Sequence, residues 1–162
     1  IQGVTGDAGA SGATGPSGLL AYGFFYALMP GDNAATVAAA SAVSFPQDGA
    51  ASGISRVAAS LSEITLPAIG VYEVSWQASV AEAGQLVLGL DSGAGVVEQA
   101  HTVTGRAGAT SLIANHVLIV TTAVNSLLTV RNPSGNPVAL TMTVSAGGTH
   151  AVSASLLIKQ IQ

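Results

Sequence analysis

The chain has 162 residues, of which 49% are hydrophobic and only 7% are charged, and its formal net charge is −4. With four scattered cations, no basic run and no apolar stretch near the roughly 20 residues of a membrane-spanning helix, we expect neither nucleic-acid binding nor membrane insertion; the absence of cysteine excludes disulfides and thiolate metal sites. Since an ordinary soluble domain carries about 25% charged residues, we expect much of this surface either to lie against neighbouring subunits or to be inert.

Glycine occupies every third position of the first eighteen residues, IQGVTGDAGASGATGPSG. This strict Gly-X-Y period predicts a collagen-like segment, because only glycine fits at the crowded axis where three chains meet. The alternative is a flexible Gly/Ala/Ser/Thr linker. A collagen strand works only in threes, so the period predicts a homotrimer. With one proline, Pro16, we expect residues 1–18 to be a flexible stub of a longer stalk that has been cut away upstream.

From Leu19 the period changes to two, which is typical of strands. Residues 20–28 predict a first strand with an aromatic ridge formed by Tyr22, Phe24 and Tyr26. The alanine-rich stretch after it predicts a loop or a short edge strand ending at 43–45. A turn cluster is expected at 46–53, and two short strands at 54–66.

The clearest strand begins near Tyr72, where large apolar residues alternate with polar ones, as in half-buried antiparallel sheet. Residues 112–122 are apolar on both faces, which is expected where a strand contacts the core on one side and another subunit on the other. Further strands are predicted at 86–90, 96–104, 126–131, 138–144 and around 156–158.

Eight to ten short strands without a convincing helix predict an all-β sandwich over residues 19–162, preceded by the stub at 1–18. A jelly roll is the favoured topology, and an up-and-down barrel is the alternative.

Collagen triplets followed at once by a β domain of about 140 residues resemble the complement C1q and tumour-necrosis-factor-like (TNF-like) family of trimeric heads. The resemblance covers residues 19–162, and three stretches carry it: LLAYGFFYAL directly after the triplets, LPAIGVYEVSW with Gly70 and Tyr72, and the apolar ending ASLLIKQI. It implies a C1q/TNF-like jelly-roll sandwich that forms a homotrimer, with the last strand near the trimer axis.

Within this family the chain most resembles the BclA-type collagen-like glycoproteins of the bacterial spore exosporium. Two features carry that likeness: a composition low in charge and rich in Ala, Thr and Val, and the triplets Gly-Ala-Thr and Gly-Val-Thr. It implies an extracellular structural protein that forms the trimeric tip of a filament on the spore surface and adheres to a host receptor or glycan. It also implies O-glycosylation at Thr5 and Thr14. The alternative is the receptor- or glycan-binding head of a phage or viral fibre.

Apolar residues are expected to hold the trimer together, and we expect no catalytic residue, metal or cofactor. The residues predicted for the subunit interface are Phe25, Leu118, Val120, Leu156 and Ile158.

One string is similar to the loop of aspartic proteases, Asp91-Ser92-Gly93. That chemistry needs two carboxylates sharing one proton, and a threefold assembly does not supply such a pair. Because Asp and Gly are ordinary turn residues, we interpret the string as a hairpin turn.

The three histidines, His101, His116 and His150, have separations that match no compact ligand motif. His116, repeated by threefold symmetry, is the best candidate for an axial metal ligand, although a surface or hydrogen-bonded histidine is favoured. Four aromatic residues could line a sugar site, but at strand spacing we interpret them as core. They are Tyr22, Phe24, Tyr26 and Trp76.

Overall fold

The computed structural model describes residues 19–29, 31–108, 111–143 and 154–162. Within these ranges it contains eleven strands and one short 3-10 turn, Ala100–Thr102, and no helix long and apolar enough to cross a bilayer. The strands are β1 Ala21–Ala27, β2 Gln47–Ser52, β3 Ser55–Arg56, β4 Ile64–Leu66, β5 Gly70–Val80, β6 Gly84–Asp91, β7 Val96–Glu98, β8 Thr104–Arg106, β9 Ser111–Thr121, β10 Ser126–Arg131 and β11 Ala154–Gln160.

The strands form two antiparallel sheets. Sheet I has the order β2-β1-β11-β5-β9, and sheet II has the order β3-β4-β10-β6-β7, with β8 also paired to β6. The first and last strands of the chain are neighbours in sheet I, and β4 lies beside β10 in sheet II. These long-range neighbours are those of a jelly roll rather than an up-and-down barrel, in which consecutive strands pair.

The hydrophobic core lies between the two sheets, and strand β5 shows how the sequence builds it. Tyr72, Val74 and Trp76 point inward and are buried, whereas Glu73 and Ser75 between them point outward and are half-buried. Each large apolar side chain buried in this way contributes about 1.5–3 kcal/mol. The period-two prediction for this strand is therefore confirmed, including the prediction that Trp76 belongs to the core.

The first strand has the opposite phase from the one that its aromatic residues suggested. The small residues Ala21, Gly23 and Ala27 face inward with Phe25, whereas Tyr22, Phe24 and Tyr26 face outward. The core has no room for more at this point, because a Cβ atom at Gly23 would already press on Phe25 and Ile54. The assignment of the three ridge aromatics to the core was therefore wrong.

The strand expected at 96–104 is interrupted by the 3-10 turn Ala100–Thr102, and two further elements also differ from the sequence-based expectation. Residues 47–52, expected within a turn cluster, form the edge strand β2, whose Gly49 packs directly against Phe24. In 138–143, the described part of the strand expected at 138–144, Leu140 and Met142 make isolated bridges only, to Val37 and Val80. At both positions the local structure depends on contacts with residues elsewhere in the sequence. Hydrophobic periodicity does not reveal such contacts.

The Gly70-x-Tyr72 motif anchors the start of β5. The buried Tyr72 hydroxyl donates to the Ala68 carbonyl (2.8 Å) and accepts from the Ala68 N–H (3.1 Å). Burial raises the pKa of Tyr72 above its usual value, while the hydrogen bond to Ala68 opposes that rise. Gly70 lies against the Gln162 carbonyl, where a Cβ atom would overlap it. The motif thus ties the β4–β5 connection to the chain end.

Candidate subunit interface

The outward face of sheet I carries an ordered array of side chains on β1, β11, β5 and β9. Because the pairing of these four strands is continuous, outward residues align in cross-strand rows. The rows are Tyr22–Lys159–Glu73–Leu118, Phe24–Leu157–Ser75–His116 and Tyr26–Ser155–Gln77–Ala114.

One side of this face, on β9, is aliphatic. Leu118 is 53% exposed and Val120 is 62% exposed, although the residue between them, Ile119, is buried in the core. Val71 of β5 lies directly opposite Val120 and extends the patch. Strand β9 therefore carries aliphatic side chains on both faces, as its sequence indicated, with Ile119 in the core and Leu118 and Val120 exposed. We refer to Val71, Leu118 and Val120 as the aliphatic patch.

The other side of the face, on β1 and β11, is aromatic. The rings of Phe24 and Tyr26 stack with centroids 5.7 Å apart and an interplanar angle of 23°. Phe24 is 36% exposed, and the Gly49 backbone lies so close behind it that no side chain could fit there. Leu157 is paired with Phe24 across the strands. We refer to Phe24, Tyr26 and Leu157 as the aromatic patch.

A polar strip on β5 separates the two patches. The Glu73 carboxylate accepts a hydrogen bond from Lys159 Nζ at 2.9 Å, and its Oε1 lies 3.3 Å from Nε2 of His116. The bond from Lys159 lowers the pKa of Glu73 below its usual value, against a smaller opposing effect of burial and with help from the charges of Lys159 and His116. The strip is charge-balanced when His116 is neutral.

A shallow depression of about 690 Å³ lies between the aromatic patch and β9. Phe24 and Leu157 line one side, and Ala114 and His116 line the other. Polar side chains also line it, and those of Ser75, Gln77 and Ser155 have no hydrogen-bond partner within the described part of the chain. The depression offers an apolar groove with unused hydrogen-bonding groups along it.

The free edge of β9 is partly covered by side chains. Asn115 donates from Nδ2 to the Thr102 carbonyl (3.1 Å) and accepts at Oδ1 from the His116 N–H (2.9 Å). His101 Nε2 lies 3.4 Å from the Leu118 carbonyl. These contacts occupy edge groups that would otherwise pair with another strand. Association through the outward side chains is therefore favoured over strand addition at this edge.

The five residues expected at the subunit interface divide into two groups. Leu118 and Val120 lie on the exposed face of sheet I. Phe25, Leu156 and Ile158 are buried between the sheets, so their side chains are not available to a neighbouring subunit. On β1 and β11 the apolar side chains that face outward are instead those of the neighbouring residues Phe24 and Leu157. Both strands are apolar at consecutive positions, so the alternation left their phase undetermined.

The residues considered for catalysis or metal binding are dispersed. Asp91 Oδ1 accepts from the N–H groups of Gly93 (2.7 Å) and Gly95 (3.0 Å) in the turn between β6 and β7, which confirms the hairpin interpretation. Over the described ranges, no three His, Asp or Glu side chains are grouped closely enough to hold a metal ion. His150, Thr5 and Thr14 lie outside the described residues.

No protein-family model matches this chain, and a search of curated proteins finds no match. Solved structures do match. The globular domain of zebrafish complement 1qA superposes with a TM-score of 0.58 at 9% identity, covering 88% of this chain and 98% of that one. Murine APRIL gives 0.58 at 12% identity, covering 86% and 99%. Eiger TNF from S. frugiperda gives 0.54 at 10% identity, covering 88% and 91%. The chain has the C1q/TNF-like jelly-roll fold.

Proposed function

We propose that this chain is a structural surface protein whose β domain associates into a trimeric head at the tip of a collagen-like filament. The head supplies the assembly energy, and the Gly-X-Y segment at 1–18 belongs to the stalk. The observation that carries this proposal is the outward face of sheet I, with its two separate apolar patches.

A ring of three identical subunits needs two different surfaces that fit one another, because each subunit contacts one neighbour with each surface. We take the aliphatic patch on β9 and β5 and the aromatic patch on β1 and β11 to be this pair. They differ in side-chain chemistry, and Leu118 and Val120 lie on the opposite side of Glu73, Ser75 and Gln77 from the aromatic patch. A twofold dimer would need only one self-complementary patch.

A trimeric head would help the collagen-like segments to associate. Three collagen strands find their register slowly, since distant chain segments must associate before favourable contacts form. A head that associates first would align the three strands where they leave it. The described chain starts at Leu19, which follows the last triplet directly, and the Leu20 N–H donates to the carbonyl of Gln160 at the end of β11 (3.3 Å). Each stalk strand would thus leave the head from sheet I.

We further propose that the filament stands on the surface of a bacterial spore. The support for this location is the likeness of the composition and triplets to exosporium glycoproteins. An antibody against the head should label the outside of intact spores of the source organism. Labelling confined to vegetative cells would contradict this location without affecting the assembly proposal.

The assembly role can be tested by extending residues 1–18 with further Gly-X-Y triplets, both before the head and without it. We expect the circular-dichroism signature of a collagen triple helix, with a cooperative thermal transition, only in the chain that carries residues 19–162. A triple-helix signal of equal strength and melting temperature in the extended stalk alone would contradict the role of the head.

A further inference from the structure

We propose that His116 makes subunit association sensitive to acid: the associated head keeps this imidazole neutral, and protonation drives the subunits apart. This inference rests on the proposed function, because it concerns the same face of sheet I.

The position of His116 makes it part of any contact that uses both patches. On β9 it is the next outward residue before Leu118, and in its cross-strand row it lies at the opposite end from Phe24, with Leu157 and Ser75 between them. Its side chain is 64% exposed in the single chain and lines the depression between the patches. Neighbouring copies that cover the aliphatic and aromatic patches therefore also cover His116.

The charges around His116 are balanced only while it is neutral. From β5 it faces the Glu73 carboxylate at 3.3 Å, and from β11 Lys159 Nζ holds the same carboxylate oxygen at 2.9 Å. From the 3-10 turn, His101 contacts the Leu118 carbonyl on the same strand. Since Lys159 already compensates Glu73, a protonated His116 adds one uncompensated positive charge per subunit.

That added charge costs little in water and much in a contact from which water has been excluded. A trimer contains three copies of His116, so this free-energy cost is incurred three times, and the three like charges lie in one assembly. The associated state therefore binds fewer protons than the separate subunits, and linkage makes association stronger as pH rises and weaker as it falls. Because histidine in water changes its charge between about pH 5 and 8, the loss of association is expected in that range.

The test measures the trimer dissociation constant of the full chain by sedimentation equilibrium at pH 7.5 and pH 5.5, with circular dichroism at both values to monitor the fold. For the unaltered chain we expect the dissociation constant to rise about tenfold or more on acidification. His116→Gln should abolish most of that rise, because the amide keeps hydrogen-bonding capacity without a titrating charge. His101→Gln, an exposed histidine outside the rows, is the matched control and should keep it.

Several outcomes would overturn the inference. A trimer whose dissociation constant stays constant or falls at pH 5.5 contradicts it while leaving the proposed function intact, as does a His116→Gln chain with the full acid response. A monomer at both pH values overturns the proposed function and this inference together. If the trimer is too tight to dissociate on dilution, the rate of subunit exchange between isotope-labelled and unlabelled preparations replaces the constant, and acid should accelerate it only where His116 is present.

Discussion

The two outer faces of the sandwich are built on the same kind of sheet but carry different chemistry. Outside sheet I, Phe24, Leu118 and Val120 are exposed on a broad face, with a charge-balanced strip between the patches. Outside sheet II, the outward residues include Thr65 and Arg131, and its exposed aliphatic side chains among the described residues are confined to the short edge strand β7. The difference lies in the surface and not in the core.

This contrast supports the proposal that sheet I is the surface through which copies of the chain associate. The domain completes its own core, with β5, β6, β10 and β11 all contributing fully buried side chains. The exposed side chains of sheet I are therefore not needed to close the sandwich. Exposed apolar patches of this kind mark interaction surfaces, which supports the proposal that association uses sheet I and leaves sheet II facing solvent.

The largest expected effect comes from placing a charge on the aliphatic patch. Leu118→Glu should convert the associated protein into a monomer at micromolar concentration, because each contact would bury an unpaired carboxylate at a cost of several kcal/mol. Its matched control is Val97→Glu on β7, because the two residues are similarly exposed, Val97 at 61% and Leu118 at 53%. Light scattering should report a monomer for the first and an unchanged mass for the second. The reverse pattern would assign association to sheet II.

The next effect concerns the inside of sheet I. Gly70→Ala should lower the free energy of unfolding by about 1–3 kcal/mol, because the added methyl group overlaps the Gln162 carbonyl. Gly135→Ala is the control, since a Cβ atom there meets nothing within 4 Å. Urea denaturation of both chains, under conditions that keep them monomeric, measures the difference. Equal stabilities would show that the chain end is not anchored at Gly70.

A smaller loss is expected from Tyr72→Phe, which keeps the ring in the core and removes only its hydroxyl. Both polar groups of the Ala68 backbone then lose a partner, and the free energy of unfolding should fall by about 1–2 kcal/mol. Association should remain unchanged, because Tyr72 faces inward. A weakened trimer with unchanged monomer stability would contradict the separation between inner and outer faces.

The smallest effect is a pH-dependent one at Glu82, in the turn between β5 and β6. Burial opposes ionisation of this carboxyl, but hydrogen bonds led by the one from the Thr141 N–H (2.6 Å), together with the charge of Arg106, leave its pKa below the usual value. A lowered folded-state pKa contributes stability above the unfolded pKa that is lost as pH falls through the folded one. Glu82→Gln should therefore be slightly less stable than the unaltered chain at pH 7, and this deficit should shrink as the pH falls below the ordinary glutamate pKa of 4.5 in urea denaturation. An equal deficit at pH 7 and below that pKa would show that the carboxylate charge plays no part.

Much of the fold could be predicted from hydrophobic periodicity, because a strand with one buried face must alternate. Strands β5, β6 and β10 fall where the alternation or apolar content indicated. Strand β2 could not be predicted, since Asp48 and Gly49 are turn formers and only the packing of Gly49 against Phe24 explains an edge strand there.

The phase of the outer face was harder to predict than the strands themselves. In β9, Leu118 and Val120 are exposed, as expected of residues at an interface, but in β1 and β11 the outward residues Phe24 and Leu157 have apolar or small residues on both sides. A one-residue shift exchanges the faces of a strand. Which of Phe24 and Phe25 points outward is decided by the narrow core at Gly23, which is a property of the folded sandwich.

If sheet I joins three copies of this chain, as we propose, the native mass is the most direct measurement of that assembly. The chain has a mass of 15.8 kDa. Light scattering coupled to gel filtration at micromolar concentration and neutral pH should return about three times that mass, in a single peak that remains symmetric on dilution. A mass of one chain, or of two, would contradict the account.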